Sequence, residues 1–354
     1  MKMIFSAFDL LKEMVSQGGS DLHIAAGNPP ALRVHGKLAP MKNHPVLRPA
    51  DTEKIIRELV SKNEFQALKD TGELDSAISL EGGYRLRINA YRQDDSLAAA
   101  LRLLPNEFFT FEKLGLPINV LESISKLHSG LILVTGATSS GKSTTIASII
   151  NEINKVRPCH IHTIEDPVEY KHVSNKSFVT QREVGRDTQS FGEALRRSMR
   201  QDPDIIVVGE MRDLETMSAA LTLAETGHLT FATLHTSSAI QTVSRVISSY
   251  PASQQAQTRI QLASTLQYVI CQQLIPWDTG KGRSLAAEIL VATDAVRAMI
   301  RDEKTHQIKT AMQTNFKLGM RTMNQSLQQI VKSNKVSLLN IKEYSPDPDE
   351  LNLH

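Results

Sequence analysis

Cysteine is nearly missing from this chain: among 354 residues only Cys159 and Cys271 carry a thiol. That excludes a disulfide framework and a four-cysteine zinc site, and it suits a reducing cytosol. An excess of one charge is also lacking. Lysine and arginine number 40 against 38 aspartates and glutamates, a formal net charge of +2, so no strong overall field draws nucleic acid or acidic lipid. Aromatic residues make up 5%, and no stretch interleaves them with basic residues as nucleic-acid binders do. No apolar run approaches the ~18 residues of a membrane span. Direct membrane insertion is therefore not expected, and any membrane association goes through a partner. Asp9, Lys12 and Glu13 interrupt the apolar spacing of the amino-terminal stretch, which makes it an amphipathic helix rather than a signal peptide. Internal repeats and low-complexity tracts are absent. What is present, 41% apolar and 22% charged residues, is the composition of a soluble globular protein with room for two domains.

The first hundred residues read as a small α+β domain, mostly sheet, assigned to residues 1–104. Phe5, Phe8, Leu11, Met14 and Val15 form one apolar helix face, ended by Gly18-Gly19. Leu22, Ile24, Leu32, Val34 and Leu38 alternate around turn residues, Gly27 to Pro30 and Gly36. Asp51 to Lys69 has helical periodicity, and Glu73 to Leu80 and Tyr84 to Tyr91 return to strand. In the last of these, Leu86, Ile88 and Ala90 face one way and Arg85, Arg87 and Asn89 the other. The next strand, LAAALRLL, carries Arg102 among apolar neighbours. Burying that arginine unpaired is costly, so it needs an anionic partner, and Asp94, Asp95 and Glu81 are the nearby acids.

Residues 105–116 contain Pro105 and Gly115 and read as a linker. From there strands at 131–135, 161–165, 205–209 and 229–234 alternate with helices near 142–154, 190–201, 213–226 and 239–248. This is the signature of a parallel sheet covered on both faces, with a ligand at its carboxyl edge. A further strand covers 283–291. Helices then complete a domain at 117–345, and 346–354 is a polar tail that reads as mobile.

Gly136 to Ser143, GATSSGKS, fits the phosphate-loop pattern G-x-x-x-x-G-K-[ST] at every fixed position. A buried strand feeds it and a helix follows. Gly136, Ala137, Thr138, Ser139, Ser140 and Gly141 can turn main-chain N–H groups toward phosphate oxygens. Lys142 reaches the β- and γ-phosphates, Ser143 offers a hydroxyl to Mg²⁺, and Thr144 opens the helix. Three further strand ends carry polar groups. DIIVVGE ends in Glu210, the place for a Mg²⁺-water ligand or a water-orienting base. IHTIEDPVEY sets Glu165 and Asp166 before Pro167, either for Mg²⁺ and water or as a solvated turn. TGHLTFATLHT brackets a strand with His228 and His235. Seven residues of strand part these two by about 23 Å, so they cannot share one metal; each either senses γ-phosphate or caps a strand. Arg196, Arg197 and Arg200 share a helix and are either solvated or a dock for a neighbour's phosphate.

In this order the Walker A loop GATSSGKS, the Asp box TIEDPVEY, the Walker B strand IIVVGE and the His box TGHLTFATLHT resemble those of the secretion ATPase superfamily, and within it the type IV pilus retraction ATPases. The likeness covers nearly the whole chain. It implies a RecA-like P-loop NTPase domain preceded by a PAS-like α+β domain, with ATP and Mg²⁺ as ligands. It implies Lys142 and Ser143 at phosphate and metal, Glu165 and Glu210 in Mg²⁺ and water chemistry, and His228 and His235 coupling the γ-phosphate to domain movement. Arg87 and Arg102 fall where the family has arginines that reach the nucleotide of an adjacent subunit. The expected assembly is a cytoplasmic homo-hexamer that acts on an inner-membrane pilus platform protein, alongside a paralogous motor ATPase. The cysteine count argues against the extension motors, which carry a four-cysteine zinc element. AVRAMIRD, Ala295 to Asp302, resembles the AIRNLIRE helix of the retraction family, with Ala298 in place of asparagine. Asp95-Ser96 stands where that family commonly has arginine-glycine. These two departures leave an accessory paralogue or a secretion or DNA-transfer ATPase as alternatives. A DNA-dependent RecA-like ATPase and a non-catalytic ATP-binding adaptor at the pilus base are rivals of other kinds.

Overall fold

The computed structural model describes residues 6–34, 37–80, 84–104, 107–280, 282–333 and 335–351. Phe5, Gly36, Glu81 and Pro105 lie outside them. Two compact units divide between Glu107 and Phe108.

The smaller unit is a six-stranded antiparallel sheet with helices on one face. Its elements are α1 (Ala7–Ser16), β1 (Gly19–Ile24), β2 (Ala31–Val34), β3 (Lys37–Pro40), α2 (Pro49–Leu59), α3 (Lys62–Thr71), β4 (Glu73–Ser79), β5 (Arg85–Gln93) and β6 (Ser96–Leu104). The strand order is β3-β2-β1-β6-β5-β4. Leu10, Leu22, Ile55, Leu86, Ile88 and Leu101 meet in its core. The single helix expected at 51–69 is two helices. Ser61 accepts the Glu64 N–H while the Glu64 side chain accepts the Ser61 N–H, a reciprocal cap that starts a new helix. Phe8 is 48% exposed and sits off the packed face of α1, which is formed by Ala7, Leu10, Leu11 and Met14. The turn between β5 and β6 is two residues long, with φ of 46° at Asp94 and 55° at Asp95. This left-handed pair matches the twist of a hairpin.

The larger unit is a doubly covered α/β sheet. It contains α4 (Phe111–Leu114), α5 (Ile118–Ser125), β7 (Gly130–Thr135), α6 (Lys142–Val156), β8 (His160–Glu165), β9 (Phe178–Glu183), α7 (Phe191–Ser198), β10 (Ile205–Val208) and α8 (Leu214–Glu225). There follow β11 (Leu229–Leu234), α9 (Ala239–Ser248), α10 (Ala252–Thr265), β12 (Leu266–Pro276), β13 (Arg283–Val291), α11 (Asp294–Arg301), α12 (Ile308–Thr314), α13 (Met323–Lys332) and α14 (Leu338–Lys342). Strand order is β13-β12-β7-β11-β10-β8-β9, parallel throughout except for the β12–β13 pair. Every residue of β7, β10 and β11 is buried, as apolar runs flanked by helices on both faces require. One core gathers Leu131, Leu221, Val243 and Leu262; the other gathers Val120, Ile132, Ile149 and Phe231.

Two segments differ from their sequence reading. Phe111–Leu114 is helical, and Leu114 and Leu116 are buried in the larger unit's core, so this part of the expected linker is held by apolar packing. The expected mobile tail is docked as far as Leu351. That side chain packs beside Met323 and Leu327, Lys309 Nζ pairs with Glu350 at 2.7 Å, and Asn324 donates to the Asp347 carbonyl. Among the described residues no helix is long and apolar enough to cross a membrane.

Candidate active site

The turn from β7 into α6 builds the site. Its backbone is left-handed or positive in φ at Gly136 (136°), Ser139 (63°) and Gly141 (94°). At Gly136 a side chain is also excluded by space, because a Cβ would run into the Gln272 carbonyl and the Ser140 hydroxyl. Gln272 in turn donates to Thr145 Oγ1 at 2.7 Å, so β12 braces the loop from below. Lys142 is buried and its Nζ donates to the Gly136 and Ala137 carbonyls at 2.8 and 2.9 Å. Burial holds its amine below the usual lysine range, opposed by the charges of Glu210 and Glu169. The Ser140 hydroxyl is buried with no hydrogen-bond partner among the described residues.

Three parallel strands deliver acids and a histidine to the same carboxyl edge. From the end of β8, Glu165 lines a pocket with Ser143, Thr163, Tyr170, His172, Gly209 and Thr233. Burial pushes its carboxyl up to about 7, against hydrogen bonds from Thr163 and the Glu169 N–H. From the end of β10, Glu210 binds Arg212 at 2.8 Å and His235 Nε2 at 3.0 Å. Burial raises the Glu210 carboxyl, but the Arg212 hydrogen bond and the charges of Arg212, His235 and Lys142 outweigh it and hold it below its ordinary value. His235 follows β11 directly. The site thus holds two carboxylates whose surroundings drive their proton affinities apart.

The sequence pattern of the family described as Type II/IV secretion system protein matches residues 7–343. The chain is 43% identical to the Type IV pilus retractation ATPase PilT of Pseudomonas aeruginosa, over 96% of this chain and 98% of that one. It is 40% identical to the Twitching motility protein of Neisseria gonorrhoeae, over 94% of this chain and 88% of that one. A crystal structure of the pilus retraction motor PilT with bound ADP superposes with a TM-score of 0.91 at 48% identity, covering 98% of this chain and 99% of that one.

The chain belongs to the Type II/IV secretion system protein family.

Within this secretion ATPase fold, some residues expected at the site lie elsewhere. His228 is a correction. It precedes β11, its carbonyl accepts the Gly130 N–H at the start of β7, and its ring bonds the Leu223 carbonyl and Thr226. Because β11 and β7 run parallel, with Leu229 opposite Gly130 and Leu234 opposite Thr135, His228 sits at the amino edge while the phosphate loop leaves the carboxyl edge. It caps a strand and does not face its own chain's phosphate loop.

Arg87 and Arg102 belong to the smaller unit, where they stand directly opposite each other across β5 and β6. Their partners are not the expected Asp94 and Asp95, which form the hairpin turn. Arg102 Nε binds Asp21 at 2.7 Å and Arg87 lies 3.8 Å from Asp75. Register places Arg33, Asp21, Arg102 and Arg87 in one row across four strands. Arg196 and Arg197 both pair with Glu193 on the solvent side of α7.

Sequence reasoning missed Arg212, which clamps Glu210 and reaches toward Asp166 at 3.9 Å. It also missed Tyr170, whose hydroxyl meets Thr144 Oγ1 at 2.8 Å and so ties the Asp box to the first turn of α6. The signal for Arg212 was its place two residues beyond the Walker B acid.

Proposed function

We propose that this chain is the ATP-hydrolysing subunit of a homo-hexameric motor that powers type IV pilus retraction through an inner-membrane platform protein. The observation that carries the reading is the convergence of Lys142, Glu165, Glu210 and His235 on one phosphate loop, in a chain whose relatives are named for pilus retraction and twitching motility. The main-chain amides of residues 136–141 and Lys142 Nζ grip the β- and γ-phosphates of ATP.

Mg²⁺ fits the donors present. Ser143 and Glu165 line one pocket with oxygen ligands, and the described residues hold no cluster of three or more acid, histidine or cysteine ligands. A cation that keeps its waters and leans on substrate phosphate needs no more than this. When bound it neutralises charge on the phosphates. Glu210, kept ionised by Arg212 and His235, orients the attacking water and takes its proton. His235 bonds Glu210 on one side and is placed to register the γ-phosphate on the other. The Arg87 and Arg102 guanidinium groups of a neighbouring subunit supply the remaining positive charge to the transition state. The protein works at the cytoplasmic face of the membrane without entering it, with a paralogous motor ATPase as a further partner.

Phosphate release by the purified protein tests this. Lys142→Ala should abolish turnover, and cells lacking the protein should carry excess unretracted pili. Wild-type turnover in Lys142→Ala refutes the site, and bald cells refute the retraction role.

A further inference from the structure

β13 carries one buried acid that the mechanism above does not use. Glu288 is 6% exposed. Across the sheet it stands in register with Cys271, which faces Thr135, which faces Leu234. Thr135 leads into the phosphate loop and Leu234 into His235. Glu288 is therefore level with the carboxyl ends of the catalytic strands, about 14 Å from Leu234 at ~4.8 Å per strand.

Its two oxygens go to two different helices. Oε1 accepts the Ala239 N–H at 2.7 Å and Oε2 accepts the Met323 N–H at 3.3 Å. Ala239 and Met323 are the first residues of α9 and α13. The first N–H groups of a helix have no partner within it, and the helix dipole favours a negative charge there. One carboxylate thus satisfies an orphan donor on each helix and joins them.

α9 is the helix that follows His235. The intervening residues are bound to its first turn, since Thr236 Oγ1 meets Thr242 Oγ1 at 2.7 Å and Thr242 donates to the Ser238 carbonyl at 2.7 Å. Fixing Ala239 therefore fixes the loop that presents His235 to Glu210. α13 belongs to the carboxy-terminal helices, which pack on Ile275 and Ala286 as a separate cluster.

We propose that Glu288 is a positioning residue that locks the His235 loop to the carboxy-terminal helix α13, so that the histidine holds its place beside Glu210 only while those helices are seated. The inference rests on the ATPase reading. A small misplacement of a catalytic group is expensive in rate and cheap in binding, so the effect falls on kcat.

Glu288→Gln keeps the shape but turns an NH₂ group toward one of the two donors. Ala239→Pro removes the α9 donor and sets a ring carbon in its place, which pushes the Glu288 oxygen away from α9. Proline is tolerated at the first helical position, and Ser238 before it is already extended, with φ −146° and ψ 160°. In the assembled protein, each variant should lose roughly tenfold in kcat while ADP affinity stays within about twofold. The double variant should be no slower than the slower single, because both break one link. Full kcat in Glu288→Gln with only a lowered melting temperature would overturn the proposal, as would losses that multiply. If Glu288→Gln does not assemble, Ala239→Pro decides alone, by loss or retention of kcat. Wild-type protein without any turnover would overturn the ATPase reading and this one with it; turnover in wild type that both variants retain would sink only the tie.

Discussion

The chain holds two clusters of charge that obey opposite rules. At the carboxyl edge of the larger sheet, Lys142 is buried and the Glu210 side chain is 21% exposed, bonded on both sides by Arg212 and His235. In the smaller sheet, the Arg102 and Arg87 side chains are 55% and 42% exposed and rest on Asp21 and Asp75. Like charges directly opposite in a sheet repel, and the row Arg33, Asp21, Arg102, Arg87 sets three cations against one acid. Buried partners are costly to separate. Arg87 and Asp75 are both exposed, and such pairs are worth at most about 1 kcal/mol, so Arg87 can exchange its aspartate for a phosphate at little cost. Asp21 beneath Arg102 is buried, but Arg33 lies 3.9 Å from it and keeps a cation beside it when Arg102 turns away. The first cluster is suited to hold a fixed geometry, the second to lend charge elsewhere.

After the complete loss expected of Lys142→Ala, the largest effect again attacks the fixed cluster. Glu210→Gln keeps the shape but cannot take a proton, and it weakens the grip on Arg212 and His235. Turnover should fall by about a thousandfold, within the range of a lost general base, while ATP affinity measured by titration changes only a few-fold. A variant that loses binding and rate together would mean that Glu210 shapes the loop and not the chemistry. Arg102→Ala attacks the lendable cluster and comes next. Removing one of the two arginines proposed to share the transition-state charge should cost about a hundredfold in kcat. Mixing it with Lys142→Ala subunits is the sharper measurement. Arg102→Ala rings are slow and Lys142→Ala rings inactive, yet mixed rings should turn over faster than either if the arginine acts on a neighbour's nucleotide. No recovery in mixed rings would confine Arg102 to its own chain.

What could be read in the sequence divides along the same line. The phosphate loop and the acids at strand ends were legible because local pattern fixes them: glycines where φ is positive, an apolar run, then an acid. His235 and His228 looked alike, since both flank the same strand. Strand direction separates them, because a parallel sheet gathers its carboxyl ends on one edge and leaves His228 on the other. Partners brought by register were not legible. Asp21 meets Arg102 across 81 positions of sequence, and no spacing rule reaches that far. β9 was missed because Thr180, Gln181, Arg182 and Glu183 give a sheet-edge strand a polar surface. β12 was missed because Gln272 and Gln273 interrupt an apolar run; Gln272 earns its place under the phosphate loop. The Glu288 tie was invisible for the same reason as Asp21, being a contact of one side chain with two distant helix starts.

The smallest effect separates the two clusters by pH. Asp21 is buried, which raises its carboxyl, but hydrogen bonds from Arg102 and Ser20 and the Arg102 charge outweigh this and hold it below its ordinary value. A carboxyl lowered in the folded state contributes stability that is fully present above its unfolded value, near 3.9, and is lost as pH falls through the folded value. Acidification from pH 5 toward pH 2 should therefore loosen the smaller sheet where β1 meets β6. Hydrogen exchange at the Leu22 and Leu101 amides, corrected for the intrinsic rate at each pH, reads this directly. In Asp21→Asn the protection should be weaker at pH 5 by about 1 kcal/mol and should lose its dependence on pH over that window. Glu165, lifted to about 7 by burial, has the opposite sign. Its carboxyl favours the protonated form in the folded state, so its contribution is lost as pH rises through about 7 and is fully present below about 4.5. Acidification from about pH 8 toward about pH 5 should tighten the phosphate loop before β1 and β6 begin to loosen. Protection that fell in both sheets together on acidification would erase the distinction between a cluster that must stay buried and one that stays available.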